Sequence, residues 1–148
     1  MNPTQFAESA ASELSPQQQR LLGEVVRRMN PGDQEDVLRQ VLNNLRDNPD
    51  RDERVRLVRS LRHVGAMSVR DEIITNLRGI VETDSDCQVV IEAIESLVWL
   101  VYAEDRDDDL EWLRSIRDDV LERHSVYAEV IETSLDFLTL KVSRSNAG

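Results

Sequence analysis

The sequence predicts an all-α protein made of consecutive helical hairpins that repeat about every 36 residues. Three observations predict it. Apolar residues recur at helical spacing along the chain, cap and breaker residues punctuate it at similar intervals, and the pattern shifts onto itself at a constant offset. No segment alternates with period two, which argues against strands.

Ser15-Pro16 is an N-cap followed by proline at the first helical position, and it opens a helix ending near Asn30-Pro31-Gly32. Asp33 caps a second helix to about Asp47, and Asp52 starts a third that ends at Gly65. Ser68, with Asp71 three residues on, starts a fourth to about Thr83. Asp84-Ser85-Asp86 caps a fifth, to Glu104, which is apolar around most of its circumference. The acidic turn Asp105 to Asp109 opens a sixth helix ending near His124, and Ser125 caps a seventh to about Val142. This makes about seven helices in one domain over 15–142, as hairpins 16–49, 52–84 and 86–124 with a closing helix 126–142. Residues 1–14 form an N-terminal segment with a weaker helical pattern from Thr4 to Leu14, and 143–148 reads as a disordered tail.

The self-comparison places Leu21, Leu22 and Val25 on Leu57, Val58 and Leu61, and Val37, Leu38, Val41 and Leu45 on Ile73, Ile74, Leu77 and Val81. An offset of about ten helical turns aligns any two amphipathic helices, so recurrence of the loops and caps in step carries more weight. A single hairpin cannot bury its own apolar face, and stacking of neighbours supplies the core.

Asp52-Glu53-Arg54-Val55-Arg56, followed by Leu61 and Gly65, resembles the first helix of a HEAT-like, armadillo-type repeat, with its Asp-x-x-Val-Arg opening and downstream Leu and Gly. The resemblance covers one helix. Arg59 stands where that family has a small residue, and the later counterparts Gln88-Val89-Val90 and Val126-Tyr127 lack the arginine. What the resemblance implies is a short right-handed α-solenoid used as a scaffold or binding surface, its second helices lining the concave face. The Trp, Gly-Tyr and Ala-Phe landmarks of tetratricopeptide repeats are missing.

With 148 residues the chain is long enough to bury a core without disulfides or metal. A net charge of −11 repels phosphates and anionic bilayers, which argues against nucleic-acid or membrane partners. The apolar run from Val89 to Tyr102 is broken by Glu92 and Glu95 and falls short of a membrane span. Cys87 is the only cysteine, so no intramolecular disulfide can form, and no secretion signal is visible; both features point to the cytoplasm.

No cofactor, metal site or enzyme activity is expected. The turn Asp105-Arg106-Asp107-Asp108-Asp109 lacks the glycine and the carboxylate of a calcium loop, having Leu110 and Ile116 at those places. Its carboxylates suit the positive end of a helix instead. His63, Cys87 and His124 lie on different helices without metal-ligand spacing.

Interaction residues stand out more. Arg56, Arg59 and His63 form a basic stripe on the third helix, fit either to receive an acidic peptide or phosphate or to pair with Glu92 and Glu95 of the next repeat. Trp99, Tyr102 and Trp112 are the candidate partner-binding aromatics, and Trp99 and Trp112 fall off the apolar stripes of their helices. The shifted row Gln40, Asn76 and Trp112, with Arg39 and Glu111 beside it, marks a second-helix peptide-binding surface by analogy with the repeat fold. The expected function is a protein-interaction module or adaptor binding another protein or peptide. Two alternatives are an acidic inhibitor or immunity-type protein blocking a basic site, and a self-assembling structural protein with a homo-oligomeric interface.

Overall fold

A computed structural model of the chain describes residues 2–64, 69–100 and 107–147. These residues form eight α-helices and one 3-10 turn, with no strand among them. The helices are α1 Pro3–Ala11, α2 Pro16–Arg27, α3 Pro31–Asp47, α4 Arg51–Val64, α5 Arg70–Thr83, α6 Cys87–Leu100, α7 Asp107–Arg123 and α8 Ala128–Ala147. The 3-10 turn, Ser125–Tyr127, leads into α8. Compared with the expected seven, the added helix is α1.

Local capping explains where these helices begin. The Asn2 side chain accepts a hydrogen bond from the Gln5 N–H at 2.8 Å, and the Gln5 side chain accepts from the Asn2 N–H at 2.9 Å. With Pro3 at the first helical position, the reciprocal cap makes a helix out of a segment whose apolar periodicity is weak. Ser15 and Gln18 repeat the arrangement at α2. At α3 the cap is Asn30, accepting from the Asp33 N–H at 2.9 Å, so the cap lies three residues before the expected Asp33. Asp33 sits in the first turn, where its charge favours the positive helix end. Asp50 accepts from the Asp52 and Glu53 N–H groups at the start of α4, and Asp86 from those of Gln88 and Val89 at α6. At the other end of the chain α8 runs on to Ala147, through the segment expected to be a tail.

The chain divides into two compact units, Met1–Asn76 and Leu77–Gly148, with the boundary inside α5. The periodicity alone predicts one domain over most of this length. In the first unit α1 lies across α3 and α4, and both α2 and α3 pack on α4. Phe6 and Ala10, one turn apart on α1, are buried at 1% and 4% exposure in a core shared with Val26, Val37, Leu57 and Leu61. In the second unit α8 packs against both α6 and α7. Its core draws on Val89, Ala93 and Ile94 of α6, Leu113 and Val120 of α7, and Ile131, Leu135 and Leu138 of α8.

A second device ties the helices together. The last carbonyls of a helix lack partners within it. Buried Gln34 of α3 donates to the carbonyls of Val26 and Met29 at 3.3 Å each, closing the end of α2. Arg123 of α7 donates to the carbonyls of Val81 at 3.0 Å and Asp84 at 3.3 Å, at the end of α5. Lys141 of α8 donates to the Val98 carbonyl in the last turn of α6. Each bond joins a helix end to a later helix, so it adds register to packing.

The docking of α1 is open to a direct test. Phe6→Ala empties a fully buried site and is expected to lower unfolding free energy in urea by about 3–5 kcal/mol. Leu21→Ala removes a side chain that is 61% exposed and is expected to cost under about 1 kcal/mol. Equal effects of the two would show that α1 does not hold the first unit together.

Candidate functional site

The site begins with the two faces of α8. Ile131, Leu135, Leu138 and Val142 recur at helical spacing and are buried. That stripe satisfies the ordinary requirement of an amphipathic helix. A second apolar stripe occupies the opposite face: Val130 and Phe137, seven residues apart, are 52% and 61% exposed, and Leu140 continues the row at 48%. Val126 and Tyr127, in the 3-10 turn before the helix, are exposed as well. From Val130 to Leu140 the stripe runs about 15 Å at the helical rise.

Beside this stripe lies a groove between α6 and α8 with a volume of about 340 Å³. Ile94, Val98 and Trp99 form one wall, and Thr133, Ser134 and Phe137 the other. Trp99 is 62% exposed, so both large aromatic rings stand at the mouth of the groove. Lys141, turned onto the Val98 carbonyl, joins the same two helices. Burial lowers its ammonium below the usual lysine range.

Carboxylates border the apolar surface on both sides. Glu95 lies one turn before Trp99 on α6 and contributes to the groove wall. On the other flank of α8 stand Glu129, Glu132 and Asp136, all exposed. Arg117 of α7 pairs with Asp136 at 2.9 Å and with Glu132 at 3.6 Å, which fastens that flank of α8 to α7.

The residues expected from the sequence are distributed differently. Trp99 is in the groove. Tyr102 lies outside the described residues. Trp112 is half-buried on α7: its indole N–H donates to the Glu82 carboxylate, and the Arg78 guanidinium stands 5.0 Å from the ring centroid. Both partners belong to α5, so Trp112 serves as a clamp between α5 and α7, in surroundings distinct from those of Trp99. Glu111 beside it is exposed.

Gln40 and Asn76 lie in the first unit and Trp112 in the second. Gln40 is half-buried, and its carbonyl accepts from the Asn44 side chain. Exposed Asn76 donates to the Glu72 carbonyl, and Arg39 pairs with Asp36 at 2.8 Å. In the basic stripe, Arg56 lines a narrow cleft with Phe6, Leu22 and Ser60, and Arg59 is half-buried. The side chain of His63 is outside the described set.

Phe137, Val130 and Leu140 were missed in the sequence because α8 fits a helical pattern with either stripe alone. The signal was present. Apolar residues cover too much of its circumference for a helix packed on one side.

Among the described residues no group of three or more His, Cys, Asp or Glu could hold a metal ion. No helix of the described residues is long and apolar enough to cross a membrane. Comparison with family models, curated proteins and solved structures finds no match to this chain.

Cys87 is half-buried at the first turn of α6, and its thiol is pushed up from the usual cysteine range, first by burial and then by the neighbouring Asp86 carboxylate. A raised pKa leaves less of the nucleophilic thiolate near neutral pH. Alkylation by iodoacetamide at pH 7.5, followed by mass spectrometry, is expected to run several-fold slower in the folded protein than in urea. Faster reaction in the folded protein would instead mark an activated thiol.

Proposed function

We propose that this chain is a protein-interaction module, and that the α6–α8 groove with the exposed stripe of α8 is where it holds an amphipathic helical segment of another protein. The observation that carries the reading is the second apolar stripe of α8, in which Val130, Phe137 and Leu140 stand open to water beside Trp99. Isolated exposed apolar residues are ordinary on protein surfaces. An ordered row of them, about three helical turns long and bordered by a groove, matches the spacing that a helix in a groove presents. The proposal moves the binding surface from the second-helix row to α6 and α8, and keeps Trp99 as its aromatic anchor.

We place the module in a short right-handed α-solenoid. Supporting this are contacts between alternate as well as consecutive helices within each unit: α2 and α3 with α4, and α6 and α7 with α8. Stacked hairpins produce that pattern.

The acidic-inhibitor reading draws on the net charge of −11 alone. It differs in a measurable way, because charge-driven binding weakens steeply with salt and is indifferent to a single apolar side chain.

The test is affinity capture with the native chain and with Phe137→Glu, a change at an exposed position that circular dichroism should show to be still folded. A captured protein is expected to be lost with the variant and retained with Trp112→Phe. Retention by Phe137→Glu would remove the groove from the proposal.

A further inference from the structure

The charge of the chain is divided unevenly between its two units. The first, Met1–Asn76, holds twelve Asp and Glu against eleven Arg, a net of −1; the second, Leu77–Gly148, holds seventeen Asp and Glu against seven Lys and Arg, a net of −10. We infer that the second unit, and with it the α6–α8 groove, depends on dissolved cations that screen its carboxylates, so that ionic strength tunes how often the groove opens. The bearing of this on function rests on the docking reading above; the effect of salt on the unit does not.

The net charge already counts every ion pair. Arg117 pairs with Glu132 and Asp136, and Arg123 with Asp119. With every cation of the unit so engaged, an excess of ten negative charges remains. Part of it stands on α7, where Glu111, Asp118 and Glu122 share one exposed face at helical spacing, with exposed Arg114 at its edge. Asp118 and Glu122 are one turn apart, a spacing at which like charges repel. Glu122 also falls in the last turn of α7, where the helix dipole disfavours negative charge.

Unfolding relieves such repulsion by moving the charges apart. Salt relieves it only when screening is shorter than the spacing of the charges. A unit of this length has a radius of gyration of about 11 Å, which puts carboxylates on its opposite sides roughly 25 Å apart. In about 0.02 M salt the Debye length is roughly 20 Å, and nearly every carboxylate feels the others. In about 0.5 M salt it is near 4 Å, and repulsion is confined to close neighbours. The first unit is close to neutral and has little repulsion to relieve. Both walls of the groove, α6 and α8, belong to the second.

The test is hydrogen exchange of the full chain near neutral pH, read by mass spectrometry of peptic peptides in about 0.02 M and about 0.5 M sodium chloride. Peptides from α6 and α8 are expected to exchange about tenfold faster at the lower salt, and those from α3 and α4 to change by less than about twofold. The first unit thus controls for general effects of salt on exchange. Self-repulsion grows as the square of the net charge. The triple variant Glu111→Gln/Asp118→Asn/Glu122→Gln, at exposed positions, removes three of the carboxylates and brings the unit from −10 to about −7. That halves the repulsion, and the tenfold ratio is expected to fall to about threefold.

Equal slowing by salt in both units would overturn the inference, as would exchange in α6 and α8 that ignores salt. A ratio unchanged in the triple variant would remove carboxylate repulsion as its cause. All of these are read on the free chain and leave the docking reading in place. Capture of a partner that persists in Phe137→Glu would sink the docking reading instead, with the salt effect still standing.

Discussion

An amphipathic helix such as α4 gains its stability from tertiary burial, because an isolated helix of its length is marginal in water. Leu57, Val58 and Leu61 must leave water together, and they do so when α1, α2 and α3 close over them. Burial of one apolar stripe per helix is the requirement on which the rest of the molecule depends. It selects which faces meet and leaves the outer faces free to be polar. Against that background the second stripe of α8 is informative, since nothing in its own unit requires it.

Packing alone tolerates some sliding of one helix along another. Hydrogen bonds from Gln34, Arg123 and Lys141 to the terminal carbonyls of earlier helices restrict that freedom. Each satisfies an acceptor at a helix end and is tied to a particular turn. Lys141 also bears on the groove, because it anchors α8 to the last turn of α6 and so positions Phe137 opposite Trp99. The geometry of the proposed docking surface is thus inherited from the same interactions that close the fold.

The two tryptophans show how similar sequence contexts separate in three dimensions. Both fall off the apolar stripe of their helix. Trp112 meets Arg78 and Glu82 of α5, where its ring and its N–H each find a complementary group. Trp99 faces Phe137 across a groove and keeps most of its surface in water. One aromatic therefore links α7 to α5, and the other presents an apolar surface beside the groove.

The all-helical class and most helix boundaries were legible in the sequence, because caps, prolines and apolar spacing act over a few residues. The starts of α2 and α6 follow from Ser15 and Asp86 by local hydrogen bonding alone. Helix α1 was legible only faintly, since Phe6 and Ala10 are two residues whose burial depends on α3 and α4. Trp99 could be named as a surface aromatic, but its partner Phe137 could not, because α8 carries two apolar stripes and local spacing ranks neither. Only the tertiary structure decided between them: contact with α6 and α7 takes Ile131, Leu135 and Leu138 into the core and leaves Val130, Phe137 and Leu140 facing water. Helical periodicity is a property of the backbone, whereas burial belongs to the neighbours.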